Sequence, residues 1–193
     1  MTGIVITDVP ACAGMTARGP RACAHLDRDP VNRREYLQVL AAACGGVALA
    51  PALAAAIGDR VKWSDVALLD GRTLPASALA GRVVVVEFWA SWCPFCARQN
   101  PLLQQLHEAQ RGRGLDFLTF SIDREPAKAR AYMAEHKYTF PAAMATAASE
   151  KWFGPREGLP ELYVVDSDGR IVFMEAKEMF PEDVRALARF ARP

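Results

Sequence analysis

Two cysteines, Cys93 and Cys96, stand two residues apart in the segment EFWASWCPFCARQNP, Glu87 to Pro101. Thiols at that spacing can form a redox-active disulfide, supply half of a metal site, attach a haem, or simply pack. A structural zinc needs four ligands, as a rule from a second Cys or His pair. Beyond Ala56 only His107 and His136 remain, and they fall on different predicted helices. Covalent haem attachment requires a histidine directly after the second cysteine, where this sequence has Ala97. Redox chemistry is favoured by the local pattern, because the pair follows an apolar strand-forming run and opens a helix. At a helix N-terminus the unpaired N–H groups and the macrodipole favour a negative thiolate. Cys93 is therefore the expected nucleophile, and Cys96, one turn further in, the thiol that resolves a mixed disulfide by attacking Cys93.

Five cysteines is an odd number, but Cys12, Cys23 and Cys44 all precede Ala56. Processing near that residue would leave one candidate pair. Arg33 and Arg34, followed by Tyr36 and Leu37 and then an alanine-rich apolar stretch, have the three-part layout of an export signal and resemble a twin-arginine signal. Ala54 and Ala56 offer a cleavage site before Ile57. The expected division is a leader over residues 1–32 that reads as neither signal nor domain, an export signal over 33–56, and one domain over 57–193. A later start near Val31 would place the arginine pair at the N-terminus. Cleavage would release the domain as a soluble periplasmic protein, whereas an uncleaved segment would leave it anchored to the membrane.

With 193 residues and 51% hydrophobic content, the chain can build one ordinary core. Its formal charge is +1, and from Ile57 onward 18 Lys and Arg face 18 Asp and Glu. No long basic run exists, so a nucleic-acid partner is excluded as a working class.

The elements that must position the cysteines can be read in order. VALLDGRTLP predicts a short hairpin around Asp70-Gly71, a favoured two-residue turn. RVVVVEFWA is a β-branched and aromatic run, the pattern of a strand buried on both faces. A helix is expected over 94–111, a strand in LDFLTFSID, and a helix over 126–137 with proline at its start. A short strand over 141–144 and a short helix over 149–153 follow. ELYVVDSDGRIVFMEAK predicts a second hairpin around Asp168-Gly169, and a helix over 181–191 closes the chain. This alternation predicts an α/β protein with a central mixed sheet sandwiched by helices.

EFWASWCPFC resembles the active-site segment of the thioredoxin superfamily, and Pro101 matches the proline that bends the active-site helix there. GLPELYVVD resembles the loop whose proline is cis. Together with DGRTLPASALAGRVVVVEFW, the pattern is most similar to exported TlpA/ResA-like thiol-disulfide oxidoreductases, over about Trp63 to Phe190.

The resemblance implies a thioredoxin-like fold with an N-terminal hairpin extension, and no cofactor beyond the Cys93–Cys96 disulfide. Trp92 is expected to pack over the pair, with Pro94 and Phe95 between the cysteines. Pro160 is the expected cis-proline, and the backbone of Leu159 beside it is expected to pair with a substrate segment, since proline has no N–H to offer. Glu87 corresponds to a buried acid beneath the cysteines. Desolvation would raise its pKa and suit it to take the Cys96 proton.

Cysteine-containing protein substrates, a membrane thiol-disulfide donor and a monomeric state follow from the same resemblance. The role implied is a periplasmic reductase in cytochrome or copper-site maturation. The alternatives are a disulfide-forming oxidant or a carrier holding Cu(I) on the two thiolates. Two features depart from the family pattern. Pro94-Phe95 lacks a proline directly before the second cysteine, and Glu161 stands where a small polar residue is usual. A carboxylate there is expected either to oppose thiolate formation at Cys93 or to be a solvated surface charge. Trp152 and Phe153 are expected to pack beside the active-site loop.

Overall fold

A computed structural model describes residues 55–192. The 1–32 leader, the arginine pair Arg33–Arg34, nearly all of the 33–56 signal, and Cys12, Cys23 and Cys44 lie outside the described residues.

The sheet is built on β3 (Val84–Trp89), whose six residues are all buried. Three valines, a phenylalanine and a tryptophan among those six residues suit a central strand covered on both faces. Beside it lie β4 (Asp116–Ser121) and β6 (Glu161–Val165), with β5 (Ala142–Met144) and β7 (Ile171–Glu175) at the edges. The order is β5-β4-β3-β6-β7. The β3–β4 and β4–β5 pairs are parallel, and the β3–β6 and β6–β7 pairs antiparallel. Parallel neighbours need crossovers, supplied by α2 (Pro94–Gln110) after β3 and α3 (Pro126–Glu135) after β4, each with proline in its first turn.

Alternation along β3 divides the protein into two layers. Val84, Val86 and Phe88 face one cluster with Leu118, Phe120, Tyr163 and Phe153 of α4 (Ala147–Phe153). The short N-terminal hairpin of β1 (Val66–Ala67) and β2 (Thr73–Leu74), with α1 (Ala76–Leu79) after it, contributes Val66 and Leu79 to this cluster. Val83 and Val85 face the other cluster with Leu103 and Leu106 of α2 and Val184 of α5 (Pro181–Ala186). Glu87 and Trp89 continue that second face.

The first hairpin differs from the two-residue turn expected at Asp70-Gly71, and the second, around Asp168-Gly169, closes in the same way. The Leu68 N–H donates to the Arg72 carbonyl and the Asp166 N–H to that of Arg170, each at 2.8 Å, so three residues form each loop. Gly71 and Gly169 sit at positive φ, +88° and +76°, as a three-residue loop ending in a left-handed residue requires. The Asp166 carboxylate accepts from the N–H groups of Asp168 and Arg170, which favours the longer loop. α4 starts two residues earlier than the sequence suggests because Thr146 and Ser149 form a reciprocal cap. The last helix tightens to a 3-10 turn at Leu187–Phe190.

Phe88 stacks on Phe120 (5.3 Å between centroids) and meets Phe153 edge-on (5.6 Å). Phe88→Ala is expected to cost about 3–5 kcal/mol in urea unfolding. Phe180→Ala, at a position 70% exposed, should stay within about 0.5 kcal/mol of wild type.

Candidate active site

Cys93 is the N-cap of α2, and Pro94 occupies the first helical position, where a missing N–H costs nothing. The Cys93 N–H bonds the Ala90 carbonyl at 3.2 Å, turning the chain sharply off β3. The Cys93 sulfur accepts the Cys96 backbone N–H at 3.2 Å. Both thiols are free. Cys93 keeps 4% of its surface exposed and Cys96 none. They pack with Trp89, Ala129, Tyr132 and Ala142, and Leu159 borders the same cluster. Burial pushes the Cys96 thiol well above its ordinary pKa, and the adjacent Cys93 sulfur and Glu87 carboxyl act in the same direction.

Glu87 is fully buried on the face of β3 that looks toward α2. Burial pushes its pKa up to about 8, partly offset by the hydrogen bond from Gln99. Gln99 Nε2 donates to Glu87 Oε1 at 2.7 Å. Asn100, the next residue of α2, can donate its amide to Glu87 Oε2 at 3.1 Å. A carboxyl that titrates at about 8 is ionised in part near neutral pH, and in that form, lying by a buried thiol, it can take up the thiol's proton.

The loop carrying the nucleophile has a second support. Asp123, 5% exposed, accepts from the Ser91 N–H (3.0 Å), the Ser91 hydroxyl (2.7 Å) and the Ser121 hydroxyl (2.7 Å). It thereby ties the end of β4 to the residues just before Cys93. Sequence reasoning missed Asp123, Gln99 and Asn100. Their signal was faint, three polar residues in or beside segments otherwise destined for the core.

Other site residues sit as follows. Phe95 is half exposed, with Arg98 over its ring at 4.9 Å, and Arg98 also pairs with Glu178. Trp92 is 65% exposed, so it stands largely in solvent rather than closing over the cysteines. Pro101 lies inside α2 and has no N–H for the Ala97 carbonyl. Pro160 is buried, and the Leu159–Pro160 peptide bond is cis.

Glu161 corrects both readings made of it. It is 1% exposed, not solvated, and its cross-strand partner is Phe88, which puts its side chain on the face away from Glu87. Burial pushes its pKa upward, and its Oε1 accepts the Glu157 N–H at 3.5 Å. Trp152 and Phe153 likewise pack on that opposite face, against Trp63, Phe88 and Phe120, rather than beside the cysteines. His107 is half-buried against Phe117.

The fold and the dithiol at a strand-to-helix junction define a thioredoxin-like protein. Residues 52–189 match the Redoxin family profile, and the chain belongs to that family. It resembles TlpA/ResA-like members. Thiol-disulfide oxidoreductase ResA of Geobacillus thermodenitrificans is 23% identical over 143 residues, covering 72% of this chain and 80% of the relative. ResA of Bacillus cereus is 22% identical over 104 residues, which is 54% of this chain and 60% of the relative. The chain thus spans less than two thirds of that relative's length. A thiol:disulfide interchange protein from Chlorobium tepidum superposes with a TM-score of 0.64 at 23% identity, covering 72% of this chain and 99% of that one. A secreted Mycobacterium tuberculosis disulfide oxidoreductase gives 0.57 at 18% identity, over 65% of this chain and 93% of that one. These structures share the fold.

The buried acid has a consequence for stability. Below pH 4.5 Glu87 is protonated folded or unfolded, and burial exacts no penalty. Between 4.5 and about 8 only the unfolded chain ionises, so stability falls as pH rises, and above 8 the loss is complete. Glu87→Gln should therefore gain on wild type progressively from pH 4.5 to 8, by a few kcal/mol at the top, at about 1.4 kcal/mol per pH unit. Urea midpoints across that range would show it, and a pH-independent difference would contradict it.

Proposed function

We propose that the protein is a thiol-disulfide oxidoreductase that exchanges its Cys93–Cys96 pair with disulfides of protein substrates. The carrying observation is the asymmetry of the two sulfurs. Cys93, the N-cap of α2, is buried but keeps 4% of its surface exposed, whereas Cys96, one turn further in near Glu87, keeps none. An incoming disulfide meets Cys93 first. Its thiolate attacks a substrate sulfur, forming Cys93–S–S–substrate and releasing the other substrate sulfur as a thiolate. Cys96 then gives its proton to Glu87 and attacks Cys93. The Cys93–Cys96 bond forms, the bond to substrate breaks, and the substrate leaves as a dithiol while the protein is oxidised by two electrons.

Trp92 and Phe95 provide an exposed apolar rim around the attacked sulfur, with Pro94 holding the turn between the cysteines. The Leu159 backbone, just ahead of Pro160 and β6, pairs with the substrate segment. A proline there leaves its own position without a donor, so register is set by Leu159. Regeneration calls for a membrane thiol-disulfide donor.

Export underlies the biological role. The 33–56 segment with its arginine pair directs the domain across the membrane, after which it acts as a periplasmic monomer, reducing cysteines of apocytochromes or copper-site proteins. Support comes from that segment's layout and from the secreted relative in Mycobacterium tuberculosis. Among the described residues no helix is long and apolar enough to cross a membrane.

Cys93→Ser is expected to abolish exchange with a disulfide-bonded peptide. Cys96→Ser should accumulate a Cys93-linked mixed disulfide, detectable by intact mass, with turnover reduced by about 100-fold or more, the scale on which losing an activated group acts. Turnover at wild-type rate by both variants would refute the function. Tight one-to-one Cu(I) binding with negligible exchange would instead favour the copper carrier.

A further inference from the structure

The loop from Pro155 to Pro160 joins α4 to β6 and carries Leu159, which borders both the aromatic cluster and the cluster that holds the cysteines. Among the described residues, its backbone makes no hydrogen bond to other backbone groups, and its two prolines have no N–H to offer. A segment bonded so sparsely keeps one geometry only if side chains hold it.

Arg156 is the anchor. Its Nη2 donates to Glu150 Oε1 of α4 at 3.0 Å, and its guanidinium lies over the Phe88 ring, 5.1 Å from Cζ to the centroid. The side chain is only 20% exposed. Phe88 is the cross-strand partner of Glu161, so the guanidinium and the Glu161 carboxyl share one patch of the supporting face. The Arg156 charge accordingly opposes the upward push of burial on the Glu161 pKa. Glu161 reaches back to the same loop, its Oε1 accepting the Glu157 N–H at 3.5 Å.

The arrangement is a poor way to gain stability. One polar atom of each side chain, Arg156 Nη1 and Glu161 Oε2, is buried with no hydrogen-bond partner, which is costly. Apolar residues would fill the space more favourably than a buried charge pair. What the pair does supply is a fixed geometry for a loop that has few other bonds.

We propose that Arg156 is a positioning residue for substrate binding, which through Glu150, Phe88 and Glu161 holds the Leu159 backbone in the register that pairs with a peptide substrate. This rests on the pairing proposed for Leu159. None of the Arg156 contacts is with a sulfur, so its contribution is to the binding of an extended chain and not to sulfur exchange. A disulfide within a polypeptide gains from the ordered loop, and a small disulfide with no backbone does not.

The test compares exchange by the reduced, full-length protein with a disulfide-bonded peptide and with a dipyridyl disulfide. Arg156→Met keeps most of the side chain's length and loses its charge. It should raise KM for the peptide about 5-fold at unchanged kcat, the scale of one lost hydrogen bond, and leave the dipyridyl rate at the wild-type value. Glu150→Gln, at a side chain 54% exposed, should shift the peptide KM in the same direction by less, and it carries the comparison should the first variant fail to fold. A peptide whose backbone amide beside the cysteine is replaced by an ester tests the pairing. The ester should raise KM for wild type and have little further effect in Arg156→Met. An unchanged peptide KM in both variants would overturn the proposal, as would equal losses toward the two disulfides in both. If the ester weakens binding to wild type while Arg156→Met handles the amide peptide normally, the pairing stands and the role of Arg156 fails. An ester that costs wild type nothing would refute the Leu159 pairing itself.

Discussion

A carboxyl group sealed inside the central strand sets the terms for everything around it. Glu87 interrupts a run of apolar residues in β3 and has no access to water. Such a group survives in a fold only if it stays neutral or is hydrogen-bonded on every side. The protein does both. Its pKa rises to about 8, and two consecutive amides of α2 are spent on it. Those amides must lie one turn beyond the cysteines, so the acid, its clamp and the dithiol form a single rigid unit at the strand-to-helix junction. Gln99 extends the unit to the backbone at Met179, ahead of α5, so the packing of the C-terminal helix also bears on the acid.

The sheet then separates chemistry from support. Its α2 face carries Glu87, Trp89 and the cysteines, while the other carries the aromatic cluster of Phe88, Phe120, Phe153 and Tyr163. Glu161 belongs to the supporting face even though it follows Pro160 directly in sequence. Alternation along a strand sends successive side chains to opposite faces, so nearness in sequence to the active site does not mean nearness to its sulfurs. Asp123 makes the converse point. It is thirty residues from Cys93 in the chain yet fixes the loop that presents it, because β3 and β4 are neighbours and their ends lie side by side.

Much of this was legible in the sequence. Buried parallel strands declare themselves by unbroken β-branched runs, helices by proline at their starts, and a redox dithiol by its place between the two. The departures came where side chains compete with backbone regularity. Asp166 lengthened one hairpin loop, the Thr146–Ser149 cap moved the start of α4, and Trp92 stayed largely in solvent.

What the sequence by itself determined was the strand order of chemistry along the chain: a buried acid, six residues on a cysteine, three more its partner, then a proline-bearing loop leading into β6. Local periodicity and spacing carry that information because they act within one element. Only the tertiary structure decided which polar residues would be enclosed together. Gln99, Asn100 and Asp123 look like ordinary helix and loop residues in the chain. Their roles exist because strand pairing and the seating of α2 on β3 bring them to groups they do not neighbour in sequence, in surroundings where a hydrogen bond left unmade is too costly to tolerate.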